Sequence, residues 1–276
     1  MKKIISIILL LASLGANERV ISLSPSITEI IYALNKGDTL VATSTYSLYP
    51  KAALSLPVIG GYENPRLEKV LSFKPSLVVG QTFNAKALKR LEHFGIKTLM
   101  LDLKSIENIK KSISILDKYI NYKTDLKSKK LIKNIDDALE NAHKFKNSTK
   151  QRVMVVYGLR VDLRSGIYIA GKNIFFNEII NECGAYNAYT SNSTNQPVLS
   201  YENVIALNPD IIIILHSHAT ESTVNVNEAL ASWSSIPTNA SKHKRIYIVD
   251  EDYLHIPSHR IALTINKLCG VINDKD

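Results

Sequence analysis

One short pattern occurs twice in this chain, about half a chain apart. Residues 64–80 read NPRLEKVLSFKPSLVVG, and residues 199–215 read LSYENVIALNPDIIIIL. In each copy a glutamate is followed seven positions later by a proline, and an apolar run comes next. Because proline disfavours the α conformation of the residue before it, the pattern predicts a short helix that ends before the proline and leads into a buried strand. The repeat therefore predicts two similar lobes.

The two glutamates of the repeat, Glu68 and Glu202, occupy the same place in each lobe. Both are predicted near the start of the short helix, where the helix dipole favours negative charge. In each lobe strand and helix patterns alternate, which is typical of an α/β fold with mostly parallel sheets flanked by helices. In the first lobe, residues 28–34 predict a helix with Ser26 as its cap and Glu29 in its first turn.

The stretch between the lobes is predicted to be helical. Within it, residues 125–146 show apolar side chains at helical spacing. A helix of that length spans roughly 30 Å, which is enough to join the lobes as one long inter-lobe helix. We therefore predict four segments: a leader at 1–16, an N-terminal lobe at 17–103, a helical linker at 104–150 and a C-terminal lobe at 151–276.

The first sixteen residues, MKKIISIILLLASLGA, have a basic start, an apolar middle and small residues at the end. This is the pattern of a secretory signal peptide, and it is too short to span a membrane. We expect the signal peptide to be cleaved, and no other stretch approaches the roughly 20 apolar residues that a spanning helix needs. With no cysteine near the cleavage site, the sequence predicts a soluble, exported, periplasmic protein.

The basic charge does not indicate nucleic-acid binding. The formal net charge is +9, and two of the lysines belong to the predicted leader. The lysines between residues 104 and 150 are mixed with acidic residues and serines, as on a solvated helix face. A nucleic-acid site would show arginine-rich patches interleaved with aromatic residues.

The chain has two cysteines, Cys183 and Cys269. An even count in an oxidising compartment favours a disulfide that ties the second lobe to its last helix, with two buried free thiols as the alternative. A metal site is not expected, because neither cysteine has another cysteine or a histidine at ligand spacing.

Candidate ligand-binding residues follow the predicted strands, since ligands of open α/β sheets bind beyond the carboxyl ends of the strands. Aromatic rings, amides and a few charges in these loops suit a medium-sized, partly apolar ligand. His216 and His218 are one residue apart after a strand, so at most one of them should face the cleft. The candidates are Tyr46, Tyr49, Tyr62, Glu63, Gln81, Phe83, Arg160, Arg164, His216, His218, Asp252, Tyr253 and His255.

Catalytic signatures are missing from the sequence. It contains no GxSxG, HExxH, Walker or glycine-rich phosphate-binding motif. We therefore expect a binding protein rather than an enzyme, with an exported hydrolase that uses a cleft histidine as the alternative.

Several segments together resemble the periplasmic substrate-binding proteins of ABC importers for metal chelates, most of all the branch that binds vitamin B12. They are RVISLSPSITEIIYAL at 19–34, STYSLYP at 44–50, NPRLEKVLSFKPSLVV at 64–79, GIKTLMLD at 95–102 and GKNIFFNEIINECGAYNAY at 171–189. The resemblance covers nearly the whole chain after the leader. It implies two lobes joined by one long helix, with limited hinge motion, and a disulfide between Cys183 and Cys269.

The resemblance also implies a function. The protein would capture a metal chelate, with cobalamin ahead of haem and of a ferric siderophore, and deliver it as a monomer to an ABC permease. The cobalt or iron would belong to the cargo, so no resident cofactor or protein-bound metal is expected. Glu68 and Glu202 match the glutamates that dock on arginine pockets of the permease. The ligand would be held mainly by Tyr46, Tyr49, Tyr62, Phe83, Arg160 and Tyr253.

The cleft departs from the vitamin B12-binding pattern. Tyr62 and Phe83 stand at or near positions where that branch has tryptophan, and residues 195–197 replace a tryptophan-bearing loop. Ile256 stands where an arginine is expected, beside His255. Tyrosine and histidine together can ligate haem iron, and arginines would favour an anionic siderophore, so both alternatives stay open.

Overall fold

The computed structural model describes residues 18–120, 126–145, 150–192, 196–217 and 224–274. The predicted signal peptide, His218 and Asn195 lie outside these described residues. Among the described helices, none combines the length and the apolar character needed to cross a bilayer.

The first lobe is built on a four-stranded parallel sheet, whose strands lie in the order Leu40–Ala42 (β2), Val20–Ser22 (β1), Leu77–Gln81 (β3) and Thr98–Leu101 (β4). Its strands are short and mostly buried, and helices cover them, as the alternation in the sequence predicts. The elements are β1 (Val20–Ser22), α1 (Pro25–Ala33), β2 (Leu40–Ala42), α2 (Leu67–Ser72), β3 (Leu77–Gln81), α3 (Ala85–His93) and β4 (Thr98–Leu101).

Two helices, α4 (Ile106–Ile120) and α5 (Leu126–His143), lie between the lobes. The second has 18 residues and is therefore about 27 Å long. Its buried residues Ile135, Ala138 and Ala142 belong to a hydrophobic core that contains residues of both lobes. The linker thus joins the lobes by shared apolar packing.

The second lobe repeats the architecture with four parallel strands in the order Ile246–Asp250 (β10), Ile211–His216 (β9), Arg152–Tyr157 (β5) and Tyr186–Asn187 (β7). It adds an antiparallel pair, Ile167–Tyr168 (β6) and Val198–Leu199 (β8). The predicted α/β fold of two parallel-sheet lobes is confirmed. The elements are β5 (Arg152–Tyr157), β6 (Ile167–Tyr168), α6 (Phe175–Glu182), β7 (Tyr186–Asn187), β8 (Val198–Leu199), α7 (Tyr201–Leu207), β9 (Ile211–His216), α8 (Val226–Ser234), α9 (Asn239–Lys242), β10 (Ile246–Asp250) and α10 (Ile261–Asn273).

The repeated sequence pattern forms the same structure twice. Helix α2 leads into β3, and helix α7 leads into β9, with a proline in each connection. The residue before the proline is left-handed in both copies, Lys74 at φ 45° and Asn208 at φ 44°. A left-handed residue closes a helix, and the proline after it cannot continue one.

Helix α1 begins earlier than predicted. It starts at Pro25, a residue that suits the first helical position, and Ser24 rather than Ser26 precedes the helix. Glu29 consequently lies beyond the first turn, and it is buried.

The predicted disulfide is confirmed. Cys183 directly follows α6, and its sulfur bonds to that of Cys269 in α10, with 4.9 Å between the Cα atoms. The side-chain amide of Asn273 donates hydrogen bonds to the carbonyl oxygens of both cysteines at 3.0 Å. The last helix is thereby tied to the body of the second lobe.

Candidate ligand-binding cleft

A cavity of about 1000 Å³ is lined by residues of both lobes. The volume is at the upper end of the range of roughly 300–1000 Å³ typical of small-molecule sites. Its lining includes Gln81 at the end of β3, Tyr157 at the end of β5, and Ser217, which directly follows β9. The cavity therefore lies at the carboxyl ends of both parallel sheets, where the fold class predicts a ligand.

The first lobe contributes an aromatic wall, which consists of Tyr46, Tyr62 and Phe83. Tyr62 packs edge to face against both neighbours, with ring centroids 6.5 Å from Tyr46 and 5.8 Å from Phe83. The three residues are 59%, 38% and 48% exposed. Adjoining exposed apolar side chains in a cavity mark a binding surface.

Local hydrogen bonds fix the loops that carry this wall. The buried Asn84 donates from its side-chain nitrogen to the carbonyl oxygen of Tyr62 at 2.7 Å, and its side-chain oxygen accepts from the Gln81 amide at 2.9 Å. Tyr46 has a left-handed backbone, with φ 63°, and the amide of Thr45 donates to the Gly60 carbonyl at 2.9 Å. The rings are therefore presented by ordered loops.

The second lobe contributes Tyr157, Phe176 and His255 to the lining of the same cavity. The ring of Tyr157 lies 5.8 Å from that of Phe176 and 5.9 Å from that of His255. Burial raises the pKa of Tyr157, so its hydroxyl is protonated at neutral pH. His216 is buried at the end of β9 and is not among the described residues that line the cavity.

A charged group of residues, here called the inter-lobe cluster, lies at the cavity and consists of Glu29, Asp252, Ser258 and Arg260. Arg260 donates to both carboxylate oxygens of Glu29, from Nε at 2.9 Å and from a terminal nitrogen, and to Asp252 at 2.7 Å. The Ser258 hydroxyl donates to Glu29 at 2.6 Å. Glu29 belongs to the first lobe and the other three residues belong to the second.

The charge of Glu29 depends on its partner. Burial raises the pKa of Glu29, and the hydrogen bond from Arg260 acts in the opposite direction. The side chains of Glu29 and Arg260 are only 3% and 8% exposed, so each is largely removed from water and compensated by the other.

The predicted ligand-binding residues divide into two groups. Tyr46, Tyr49, Tyr62 and Phe83 line the cavity together. Arg160 and Tyr253 are not among the described lining residues. Arg160 lies 5.0 Å from the ring of Tyr168, and Tyr253 lies 5.7 Å from the guanidinium of Arg260.

Several residues of the cavity were not among the sequence candidates, and four of them matter most for its shape and charge: Glu29, Tyr157, Phe176 and Arg260. Phe176 and Tyr157 lie in a helix and a strand, and their apolar neighbours gave them the pattern of core residues. Glu29 and Arg260 are 231 positions apart, so no local spacing connects them. The one available signal was a charged residue beside apolar residues, Glu29 within α1 and Arg260 directly before α10.

Glu68 and Glu202 lie where the repeat predicts them. Each is exposed and belongs to the first turn of its helix, α2 or α7. A hydrogen bond with the Ser200 side chain lowers the pKa of Glu202, so this carboxylate stays charged at neutral pH. The chain thus presents one exposed carboxylate on the repeated helix of each lobe.

His259, beside the inter-lobe cluster, predicts a pH dependence of stability. Burial lowers its pKa from 6.5 to about 4. Well above pH 6.5 the histidine is neutral in both folded and unfolded states, whereas as the pH falls through 6.5 the unfolded chain binds the proton first. The free energy of unfolding should therefore fall as the pH drops, by about 2 kcal/mol between about pH 7 and pH 5 from this residue.

Urea unfolding at the two pH values measures this difference. The variant His259→Gln should lose that part of the pH dependence, whereas His243→Gln, at an exposed position, should keep it. An equal pH dependence in His259→Gln and in the wild type would contradict the assignment.

The comparisons with known proteins agree with this architecture. The family model described as "Periplasmic binding protein" matches residues 20–253. A vitamin B12-binding protein of Vibrio vulnificus (strain CMCP6) is 32% identical over 277 residues, which covers 98% of this chain and 96% of the relative. An uncharacterized ABC transporter substrate-binding lipoprotein of Bacillus subtilis (strain 168), YvrC, is 31% identical, with coverage of 92% and 80%.

A solved structure supports the fold. The periplasmic haem-binding protein HutB of Vibrio cholerae superposes with a TM-score of 0.77 at 20% identity, covering 94% of this chain and all of that chain. The resemblance noted in the sequence is confirmed: the chain belongs to the periplasmic binding protein family.

Proposed function

We propose that this protein binds a metal chelate, with cobalamin as the first choice, and delivers it to an ABC permease. The observation that carries the proposal is the aromatic wall, since three adjoining, partly exposed rings face a cavity of about 1000 Å³. Such a surface suits the broad, largely apolar faces of a corrin or a porphyrin. The likeness to the vitamin B12-binding protein of Vibrio vulnificus supports the first choice.

The charges at the cavity favour a ligand without several negative charges. Among the described lining residues, the carboxylates are Glu29, Glu63 and Asp252, and the side chains of permanent positive charge are Lys104 and Arg260. Arg260 is already bonded to Glu29 and Asp252. A ferric catecholate, which carries several negative charges, would have to compete with these carboxylates for the cations.

Haem is the second candidate because of His255. This histidine lines the same cavity as Tyr46 and Tyr62, and histidine and tyrosine are both haem-iron ligands. The fold likeness to a haem-binding protein is consistent with this alternative and does not decide it.

We infer that the protein acts outside the inner membrane by binding rather than by catalysis, as other members of its family do. The leader at 1–16 would direct export, and the mature protein would work as a soluble monomer. Both cysteines of the sequence are used in the disulfide. The mass and the phase partitioning of the native protein test whether it carries a lipid, as the name of the Bacillus relative suggests for that protein.

Titration of the purified protein with cyanocobalamin, haemin and a ferric catecholate tests the ligand assignment. We expect binding of cyanocobalamin with a dissociation constant at or below about 1 μM, equivalent to about 8 kcal/mol. Calorimetry gives the constant, and the absorption spectrum reports whether a side chain ligates the metal. Tight haemin binding with a tyrosine or histidine ligand, and no binding of cyanocobalamin, would replace the first choice by the second.

A further inference from the structure

The inter-lobe cluster is a direct polar connection between the two walls of the cavity. Glu29 lies on α1 of the first lobe, and Ser258 and Arg260 precede α10 of the second lobe. Three hydrogen bonds join Glu29 to these two residues. The amide of Arg260 also donates to the Ser258 hydroxyl at 3.1 Å, so the two partners of Glu29 hold each other in place.

The guanidinium of Arg260 is already committed to protein partners. Its Nε and both terminal nitrogens donate to Glu29 and Asp252. A guanidinium has five N–H donors in a fixed planar fork, so bidentate binding of one carboxylate also fixes its orientation. An anionic ligand group could engage Arg260 fully only by displacing Glu29, which would leave a buried carboxylate without its partner.

One face of the guanidinium supports an aromatic ring of the cleft. The Arg260 carbon Cζ lies 3.9 Å from the centroid of the Tyr49 ring, within cation–π distance. Tyr49 is 41% exposed and lines the cavity. The same side chain that joins the lobes therefore also orients a ring that can contact the ligand.

Another hydrogen bond connects the second lobe with the helical linker. The amide of Ile106, at the start of α4, donates to the Glu178 carboxylate of α6 at 2.8 Å. A carboxylate at a helix N-terminus is favoured by the helix dipole. The Ile106–Glu178 bond thus holds the linker helix on the second lobe, whereas separation of the two lobes would require the hydrogen bonds at Glu29 to break.

We infer that Arg260 is a positioning residue: through Glu29 it fixes the separation of the lobes, and through stacking it sets the orientation of Tyr49. This inference rests on the proposed function only for the identity of the ligand. It assigns Arg260 to the maintenance of a preformed cleft and not to recognition of anionic ligand groups.

Distance measurements between the lobes test the inference without any ligand. Spin labels would be attached at the exposed positions Lys89 and Lys242, each replaced by cysteine, and double electron–electron resonance would give their distance distribution. The wild-type background and the control Arg164→Gln, at a 91% exposed arginine, should both give one narrow distribution. Arg260→Gln and Glu29→Gln should each broaden it or shift it to longer distances.

Binding measurements on the same variants test the second part of the inference. With cyanocobalamin as the probe, or haemin if that is what the wild type binds, Arg260→Gln should bind at least about tenfold more weakly. Tyr49→Leu should also weaken binding, and it should leave the distance distribution narrow because the ion pair remains. This difference separates loss of a ligand contact from loss of lobe position.

The double variant Glu29→Gln/Arg260→Gln covers the case in which a single variant does not fold, because it buries no unmatched charge at the former ion pair. It should fold and should show the broadened distribution.

Narrow distributions and wild-type affinity in all cluster variants would overturn the inference. Failure of the double variant to fold would also overturn it, since the cluster would then be a folding element. If the wild type binds no probe at all, the proposed function fails while the distance data still decide this inference.

Discussion

Reversing the charges of Glu68 and Glu202 together is expected to abolish ligand uptake while leaving ligand affinity unchanged. Both residues are exposed, each in the first turn of the repeated helix of its lobe. Neither is among the described residues that line the cavity. The change should therefore act on the encounter with the permease and not on the ligand.

The size of the effect follows from the chemistry proposed for docking. A hydrogen bond to a charged group contributes about 1.5–3 kcal/mol, and a carboxylate paired with an arginine fork is of this kind. Loss of two such contacts corresponds to about 10²- to 10⁴-fold weaker docking, at roughly tenfold for each 1.4 kcal/mol. Lysine at both positions adds repulsion from the arginines, so residual uptake should be undetectable.

Uptake of labelled ligand by cells that carry the permease, together with calorimetry on the purified variant, measures both quantities. Glu228→Lys is a matched control, because Glu228 is also an exposed glutamate in the first turn of a helix of the second lobe. Each single reversal, Glu68→Lys or Glu202→Lys, should reduce uptake by about tenfold or more. Normal uptake by the double variant would refute the docking role.

Truncating two of the three rings of the aromatic wall should weaken ligand binding by about a hundredfold, if each of the two rings contributes about 1–2 kcal/mol as central aromatic contacts do. The variant is Tyr62→Ala/Phe83→Ala. Both rings are partly exposed in the free protein and would become covered by the ligand. Phe94→Ala is a matched control, since Phe94 is 62% exposed and is not among the described lining residues.

A conservative change of Tyr62 distinguishes cobalamin from haem as the ligand. Tyr62→Phe keeps the ring and removes the hydroxyl, so cobalamin binding should be nearly unchanged. If Tyr62 instead ligates haem iron, the same change should shift the haemin absorption spectrum and weaken binding. Unchanged affinity for every probe in the Tyr62→Ala/Phe83→Ala variant would exclude the aromatic wall as the ligand contact surface.

Much of the architecture was predictable from local patterns. The helix–proline–strand repeat predicts α2 with β3 and α7 with β9, and the structure contains both pairs. These predictions succeed because apolar periodicity and the restriction before proline act within a few residues. Helix α1 starts three residues before its predicted start, since a proline can begin a helix as well as follow one. The exact lobe boundaries at 103 and 150 remain predictions.

The cleft was predictable only in part. Placement of post-strand loops at the carboxyl ends of the sheets correctly brought Tyr46, Tyr49, Tyr62 and Phe83 to one cavity. The same rule does not predict whether the side chain of a loop residue points into the cavity or away from it. Arg160 stacks on Tyr168, whereas His255 lines the cavity. Side-chain direction in a loop depends on neighbours that are distant in sequence.

The sequence by itself determined two similar α/β lobes, a glutamate at the start of the repeated helix of each, and an even number of cysteines that favours a disulfide. The lobes and the glutamates follow from local apolar patterns and from the recurrence of one motif half a chain away, and the disulfide follows from the cysteine count in an oxidising compartment. Only the tertiary structure decided that Glu29 and Arg260, 231 positions apart, form a buried ion pair between the lobes. The physical reason is that burial and pairing of charges depend on how the lobes meet, and helical and strand periodicity carry no information about that contact.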